Sequence, residues 1–441
     1  CPTLTMSMIK GPRMNRRQFL TSSSALALSI GASGGFSQQS YGGPYLIRVN
    51  AGGGWDLSLY CDPKVNQVGV EPITDWSNQA DIEFAGGVPV APVANNIDTF
   101  ERLGPRTLVV NGVDTQTNAH QTGERHTWTG SASEGRPGIT AMFAAAQAPE
   151  QPLSYLSFGG FSATANLIRP VVAQWDALYW LTQPRPPIEH ELLERFRSRG
   201  LDIVSDREMN APWLARRIFD SGRGHTSKEA LSSLHQILPR ESEAPEGVFR
   251  GESRLKAQVQ TSLLAFKAGI SASADVTAGG NWDTHATGEF AQVDYIRALN
   301  NGLTYLWDLA ESLEIADQVI VIVSSDFGRT PYYNSYGGKD HWPINSYLIM
   351  ANDPIWGGRV VGHTDEAQNA SKISPSTLKV SSTGSIIYPK HVHHALHHYL
   401  GIYDFARSVG YDFKNTELYD FFNPALSTAG PLPNPLGSNL Y

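Results

Sequence analysis

The sequence has little cysteine, a modest share of charged residues and no apolar run long enough to cross a membrane. Cys1 and Cys61 are the two cysteines among 441 residues, which excludes a small fold held together by disulfides. Charged residues make up 17% of the chain and the formal net charge is −8, so there is no basic excess for nucleic acid or anionic membranes. Hydrophobic residues make up 41%, which is enough for a large globular core. The composition therefore predicts a globular protein that does not bind nucleic acid.

An export signal is predicted near the start of the chain. Arg16 and Arg17 precede a short, weakly apolar run at 25–32. A charged segment followed by a short apolar segment is typical of a cleaved signal peptide, and the arginine pair favours the twin-arginine route. The run is far shorter than the roughly 20 apolar residues of a membrane-spanning helix. We therefore expect a twin-arginine signal at 14–37, export by the twin-arginine translocase, no transmembrane segment in the mature protein, and a periplasmic or extracellular location.

The domain organisation follows from this signal. Residues 1–13 precede Met14 and are interpreted as a non-native extension. We predict that 38–441 form a single domain. Within it, 184–251 become charged, with helical spacing and several helix breakers, which indicates a helical, cap-like region.

Near-continuous apolar strand segments alternate with helical segments along the rest of the chain. The clearest strands are predicted at 44–50, 106–112, 270–276 and 318–325. Strands that are apolar along their whole length belong to parallel sheets that are covered on both faces. The sequence therefore predicts an α/β fold with a central, mainly parallel sheet and helices on both faces.

Aspartates and histidines follow four of these strands. Ligands in open α/β sheets bind beyond the carboxyl ends of the strands, so we expect these side chains to meet there. Carboxylate and imidazole are suitable ligands for zinc or manganese. Asp283 and His285 share one face of an extended segment, and Arg329 can hold an anionic substrate. The candidates at the strand ends are Asp56, His120, Asp283, His285, Asp326, Arg329 and His341.

Several motifs together resemble one bacterial family, the domain of unknown function 1501 family. They are the twin-arginine start and the stretches G-G-N-W-D-T-H, S-S-D-F-G-R-T-P, G-G-K-D-H-W-P and G-G-R-V-V-G-H-T-D-E. That family looks like a distant branch of the alkaline phosphatase and sulfatase superfamily. The resemblance implies an alkaline-phosphatase-like three-layer sandwich with a two-metal centre. It assigns the metal ligands to Asp56, Asp283, His285, Asp326 and His341.

The resemblance is less complete at the nucleophile. Many relatives have a serine directly before the histidine of the second motif, whereas this chain has Ala119 before His120. Thr117 is a nearby substitute, so Thr117, His120 and Arg329 are the predicted catalytic residues. A second departure is Phe327, where the superfamily often has a histidine ligand.

A histidine-rich stretch near the C-terminus permits two interpretations. His391, His394 and His398 fall on one face of a predicted helix, and His393 and His397 on another. Histidines at this spacing can bind zinc. The interleaved apolar residues are those of an ordinary packed helix, for which a solvated or pH-sensitive histidine face is expected.

These observations predict an exported metal-dependent hydrolase of an anionic ester, phosphate or sulfate. It is expected to use one or two divalent ions, zinc or manganese, and to act on a small anionic substrate or a polymer-borne ester. The alternative is a non-catalytic periplasmic binding or assembly protein on a degraded version of the same scaffold, since a fold does not fix a function.

Overall fold

The computed structural model describes residues 41–151, 153–172, 252–286 and 289–426. The predicted signal at 14–37, the extension at 1–13 and the cap-like region at 184–251 lie outside these ranges. Within them, no helix combines the length and the apolar character needed to cross a bilayer.

An eight-stranded sheet forms the centre of the molecule, in the order β12-β4-β11-β8-β1-β7-β5-β6. Its strands are β1 (Tyr45–Asn50), β4 (Thr107–Asp114), β5 (Tyr155–Ser157), β6 (Pro170–Val172), β7 (Ser273–Thr277), β8 (Val319–Ser324), β11 (Ile344–Ala351) and β12 (Arg359–Val361). Strand β11 runs antiparallel to both of its neighbours, and the other pairs are parallel. The predicted class, a central and mainly parallel sheet, is confirmed.

Two small ribbons and seven α-helices complete the described part of the chain. The ribbons pair β2 (Glu83–Ala85) with β3 (Val88–Val90), and β9 (Gly328–Arg329) with β10 (His341–Trp342). The helices are α1 (Asn96–Leu103), α2 (His120–Thr129), α3 (Ile139–Gln147), α4 (Glu252–Lys267), α5 (Phe290–Ser312), α6 (Pro389–Tyr399) and α7 (Tyr403–Ser408).

Alternate residues of the central strands enter two different cores. Ile47 packs in a cluster with α4 and α5, whereas Leu46 packs in a second cluster with α2, α3 and α6. Side chains on a strand alternate between faces, so a strand buried on both sides needs apolar residues at consecutive positions. All six residues of β1 are buried. The helices therefore form layers on both faces of the sheet, as the apolar strands predicted.

One charged pair interrupts the second core. Arg48 of β1 lies in register with Asp275 of β7, with Nε 3.1 Å from Oδ1 and both side chains 1% exposed. Thr140 donates a hydrogen bond to the same carboxylate, and the guanidinium donates one to the carbonyl of Phe161. Removing one partner of such a buried pair costs about 3–5 kcal/mol because the other charge is left uncompensated. The pair ties β1 to β7 beneath the strand ends.

Candidate metal centre

The carboxyl ends of four strands bring the candidate residues to one edge of the sheet. The segment after β4 begins α2 with His120, and the segment after β7 carries Asp283 and His285. Asp326 follows β8, and His341 opens β10. Because β1, β4, β7 and β8 all run in the same direction, their ends and the following loops lie at the same edge.

Close approach of the backbone at this edge requires glycine at two positions. Gly53 has φ +124°, and a Cβ there would lie 2.6 Å from the amide nitrogen of Asp283. A Cβ on Gly123 would lie 2.7 Å from the carbonyl oxygen of Asp326. Gly123 is inside α2, where glycine costs helix stability. Its presence lets the helix pack directly against the end of β8, which positions His120 beside Asp326.

Three imidazoles converge on the carboxylate of Asp283. The Nε2 atoms of His285 and His341 lie 2.8 and 3.0 Å from Oδ1 of Asp283. The Nε2 atom of His120 lies 3.3 Å from Oδ2. The side chains of His120 and Asp283 are each 38% exposed, so one side of the group is open to solvent.

The other nitrogen of each ring is held by an acceptor. Nδ1 of His120 donates to Asp326 over 2.5 Å, and Nδ1 of His285 donates to Asp340 over 2.8 Å. Nδ1 of His341 donates to the carbonyl of Asn118 over 2.8 Å. Each neutral ring carries a single proton. With that proton committed at Nδ1, all three Nε2 atoms present lone pairs toward Asp283.

The three Nε2 atoms of this group lack a proton donor. The Nε2 atoms of His285 and His341 are 2.9 Å apart, and neither has a proton to donate when the ring is neutral. Nε2 of His120 is buried and has no hydrogen-bond partner among the described residues. Among those residues, His120, Asp283 and His341 form a group whose ligand atoms lie within 4.8 Å of one another. The imidazole of His285 lies beside this group, with its Nε2 atom 2.8 Å from Oδ1 of Asp283. Imidazole nitrogens with a carboxylate and outer acceptors are ligands that suit a divalent cation such as zinc.

The charged groups around Asp283 favour its ionised form. Burial raises the pKa of Asp283, but the hydrogen bond from Arg329 and the neighbouring imidazole of His341 outweigh it and hold that pKa well below its usual range. The hydrogen bond to Asp326 raises the pKa of His120. Asp283 is therefore an anion at any physiological pH, as a metal ligand must be.

Arg329 supports Asp283 and is not available as a substrate clamp. Its side chain is buried, and each of its three guanidinium nitrogens donates to a protein acceptor. The acceptors are the carbonyls of Gly53, Gly54, Trp282 and Lys339 and the carboxylate of Asp283. The structure thus gives Arg329 a positioning role in place of the predicted contact with an anionic substrate.

Asp326 and Asp56, two predicted ligands, have other partners in the structure. Asp326 accepts hydrogen bonds from His120, Ser325 and the amide of Gly53, so it orients His120 from behind. Oδ2 of Asp56 lies 2.7 Å from Nζ of Lys339 in a buried ion pair. The sequence could not foresee either arrangement, because both depend on partners that are distant along the chain.

The predicted nucleophile lies in the turn before α2. The hydroxyl of Thr117 accepts a hydrogen bond from the amide of Ala119 over 3.1 Å. The nearby hydroxyl of Thr115 donates to the carbonyl of Pro343, and this residue is buried. Both threonines shape the loop that presents Asn118 and His120 to the centre.

Glu124 is a further carboxyl group on the helix that carries His120, close enough to Asp326 to feel its charge. It follows His120 by one helical turn and therefore lies on the same face of α2. Its Oε1 accepts hydrogen bonds from Nδ2 of Asn50 over 2.8 Å and from the amide of Phe161 over 3.3 Å. Burial raises the pKa of Glu124, and the nearby charge of Asp326 adds to this effect. In the sequence, Glu124 stands in the segment that follows the second predicted strand, at the spacing His-x-x-x-Glu from His120.

The C-terminal histidines lie elsewhere, in the core under α6. His391, His393 and His397 are each no more than 3% exposed, so the expected solvated face is wrong for these rings. Nε2 of His393 donates to the carbonyl of Thr127, and the ring of His397 packs on Phe413. The described residues include no His/Asp/Glu group in α6 that meets the distances of a metal site.

Comparison with known families supports the predicted resemblance. Residues 239–383 match the family described as "Protein of unknown function (DUF1501)", which confirms the resemblance over that segment. The segment contains Asp283, His285, Asp326, Lys339 and His341. No curated protein sequence matches the chain.

Three solved structures illustrate the similarity of the chain to known proteins. The lipoteichoic acid synthase LtaP from Listeria monocytogenes is 9% identical with a TM-score of 0.32, over 88% of this chain and 76% of that protein. Ps i-CgsB in complex with k-i-k-neocarrahexaose is 8% identical with a TM-score of 0.33, over 82% and 72%. Alkaline phosphatase from the Antarctic bacterium TAB5 is 11% identical with a TM-score of 0.31, over 71% and 93%.

Proposed function

We propose that this chain is an exported metal-dependent hydrolase of an anionic ester, either a phosphate or a sulfate ester. The observation that carries the proposal is the convergence of three imidazole Nε2 atoms on Asp283, with every Nδ1 atom committed to an acceptor. His120, Asp283, His285 and His341 would hold the cation. A divalent ion bound there would act as a Lewis acid on an ester oxygen and as the positive partner of an anionic group.

The protein residues around this group have separate tasks. Asp326, Asp340 and the carbonyl of Asn118 fix the rings in the tautomer that presents Nε2. Arg329 keeps Asp283 ionised and oriented. A preorganised set of this kind does not have to rearrange when the substrate arrives.

Glu124 is the proposed proton donor. Because its pKa is raised by burial, its carboxyl group remains protonated to higher pH than an exposed glutamate would. A protonated carboxyl group beside the centre can give its proton to the oxygen that leaves the ester. The hydrogen bonds from Asn50 and Phe161 fix the position of Oε1 of Glu124, the carboxyl oxygen that does not carry this proton.

Hydrolysis can be tested with nitrophenyl phosphate and nitrophenyl sulfate as separate substrates of the metal-loaded protein. We expect turnover of one of them, and a decrease of kcat by about 10²–10⁴-fold in Glu124→Gln with metal content unchanged. Glutamine has nearly the same size and shape as glutamate, so a loss of bound metal in this variant would contradict the separation of roles. Asp283→Ala serves as the inactive control.

A binding or assembly protein is the second candidate. Two observations favour it: each guanidinium nitrogen of Arg329 already donates to a protein acceptor, and the hydroxyl of Thr117 accepts a hydrogen bond within its own turn. A metal-loaded protein that turns over neither ester would support this candidate over the hydrolase.

The export route belongs to the same proposal. A chain that carries Arg16 and Arg17 in a twin-arginine signal crosses the membrane folded, so its metal can be bound before export. Replacing both arginines by lysine should leave the protein in the cytoplasmic fraction. Secretion of that variant at the normal level would contradict the route.

A further inference from the structure

A buried ammonium group neutralises the aspartate at the end of the first strand. Nζ of Lys339 lies 2.7 Å from Oδ2 of Asp56 and 2.8 Å from Oγ of Ser58. The side chains of Lys339 and Asp56 are 4% and 2% exposed, so solvent does not screen the pair. The ring of Tyr333 lies 5.4 Å from Nζ and closes the position on another side.

The surroundings of Lys339 are those of a cation site. Asp56 accepts at its other oxygen from the amide and the hydroxyl of Ser58, over 3.0 and 2.6 Å. Glu289 is a second carboxyl group nearby: burial raises its pKa most, and it is close enough that the charge of Asp56 adds to this effect while the charge of Lys339 opposes it. Hydroxyl and carboxylate oxygens around one buried position are ligands that a divalent ion also prefers. Here the lysine supplies the positive charge.

The two aspartates that a second ion would share face different partners. Asp56 is paired with Lys339, whereas Asp326 is occupied by His120, Ser325 and the amide of Gly53. Neither belongs to the group of His120, Asp283 and His341 that meets ligand distances among the described residues. The two-metal centre that the family resemblance implies therefore does not fit these side chains.

We infer that this chain binds one divalent cation and that the ammonium of Lys339 stands in the place of a second one. The inference rests on the proposed function only for the first cation. Three consecutive residues then serve the site: Lys339 neutralises Asp56, Asp340 orients His285, and His341 is a ligand. A covalently attached charge cannot be removed by a chelator, so Asp56 remains paired when the bound ion is lost.

The number of bound ions tests the inference. The protein, stripped with a chelator and titrated with Zn²⁺ or Mn²⁺ alone, should bind one ion by calorimetry and by elemental analysis. Two ions in the wild-type protein would overturn the inference and leave the proposed function standing. No bound ion would overturn the proposed function, and the inference with it.

Asp56→Asn tests whether Asp56 is a metal ligand or only the ion-pair partner of Lys339, because the substitution removes the charge and keeps the shape of the side chain. We expect it to retain one ion with an affinity within about 3-fold of wild type, because Asp56 does not touch that ion. A drop of affinity of 10-fold or more, in protein with an unchanged far-ultraviolet circular dichroism spectrum, would show that Asp56 is a ligand and would contradict the inference.

Lys339→Met tests whether the ammonium group of Lys339 occupies the position of a second cation. It leaves Asp56 without a positive partner, so we expect this variant to bind two ions and Lys339→Met with Asp56→Asn to bind one again. A folded Lys339→Met protein that still binds one ion would contradict the replacement. If this variant does not fold, the wild-type count and the Asp56→Asn affinity still decide the question.

Discussion

Two groups of histidines in this molecule differ in burial, in hydrogen-bond partners and in the charges around them. At the strand ends, His120, His285 and His341 are partly exposed, anchored at Nδ1 and directed at the carboxylate of Asp283. In α6, His393 and His397 are buried against Phe413. The difference shows that proximity of histidines does not make a metal site. Anchored rings and a central carboxylate distinguish the candidate centre from the α6 histidines.

Electrostatics separates the two groups further. The Arg136 guanidinium lies over the ring of Phe413 at 4.3 Å, beside the α6 histidines. Burial first, and this positive charge among other causes, lowers the pKa of His393 to about 4, and burial likewise moves the pKa of His397 well below its usual value. At the strand ends the hydrogen bond to Asp326 and the charges of Asp326 and Asp283 outweigh burial and the charge of Arg329, and the pKa of His120 is raised. A cation is therefore disfavoured in α6 and favoured at the strand ends.

Among the substitutions that test this comparison, removal of the Asp283 carboxylate should reduce metal affinity most. In Asp283→Ala, three ligand nitrogens lose the anion that binds the ion with them. We expect the loss in metal affinity to exceed the roughly 100-fold that loss of an outer partner can cause. Calorimetry with Zn²⁺ measures it. His398→Ala, which removes an exposed imidazole from α6, is the matched control and should bind as wild type.

Removing an outer partner should have a smaller effect. In Asp326→Asn, His120 loses the carboxylate that fixes its tautomer, and we expect a decrease of about 10–100-fold in metal affinity. The same titration detects it. An affinity equal to wild type would mean that the anchoring of Nδ1 does not distinguish the two groups of histidines.

The α6 histidines should appear in the pH dependence of stability. The folded pKa of His393 is about 4, below the roughly 6.5 of an unfolded histidine, so the unfolded chain binds the extra proton first. Stability is then full above pH 6.5 and falls as the pH decreases toward 4, by about 2 kcal/mol at pH 5 from this residue. Urea unfolding at pH 7 and pH 5 gives the difference.

His393→Gln keeps a donor for the carbonyl of Thr127 and removes the titration. It should reduce the pH dependence of unfolding by the amount that His393 contributes. An unchanged pH dependence would place the acid-sensitive groups elsewhere, among them His126 and His391, whose pKa values burial also lowers.

The fold could be predicted from the sequence because its main signal is local. The apolar runs at 44–50 and 318–325 correspond to β1 and β8, with a shift of one residue at the start of β1 and at both ends of β8. Helix α2 was not predicted, since His120–Thr129 is polar, rich in threonine and interrupted by Gly123. Its helical state depends on packing against the end of β8, which is a tertiary contact.

The site could be predicted in part for the same reason. Positions after strands identified Asp283, His285 and His341, which the structure brings together. Two contacts join residues more than 200 positions apart in sequence. They are the hydrogen bond between His120 and Asp326 and the ion pair between Asp56 and Lys339. No local pattern encodes such pairings, because they depend on the way the loops pack.

The X-ray absorption spectrum of the zinc-loaded protein tests the central claim most directly. The account predicts one zinc ion with imidazole scattering from three histidines, nitrogen ligands at about 2.0–2.1 Å and one carboxylate oxygen, with the imidazole signal reduced in His341→Ala. The same spectrum in His391→Ala should equal that of wild type. A zinc environment of oxygen atoms without imidazole, or one that changes in the α6 variant instead, would contradict the assignment of the strand-end histidines as the metal centre.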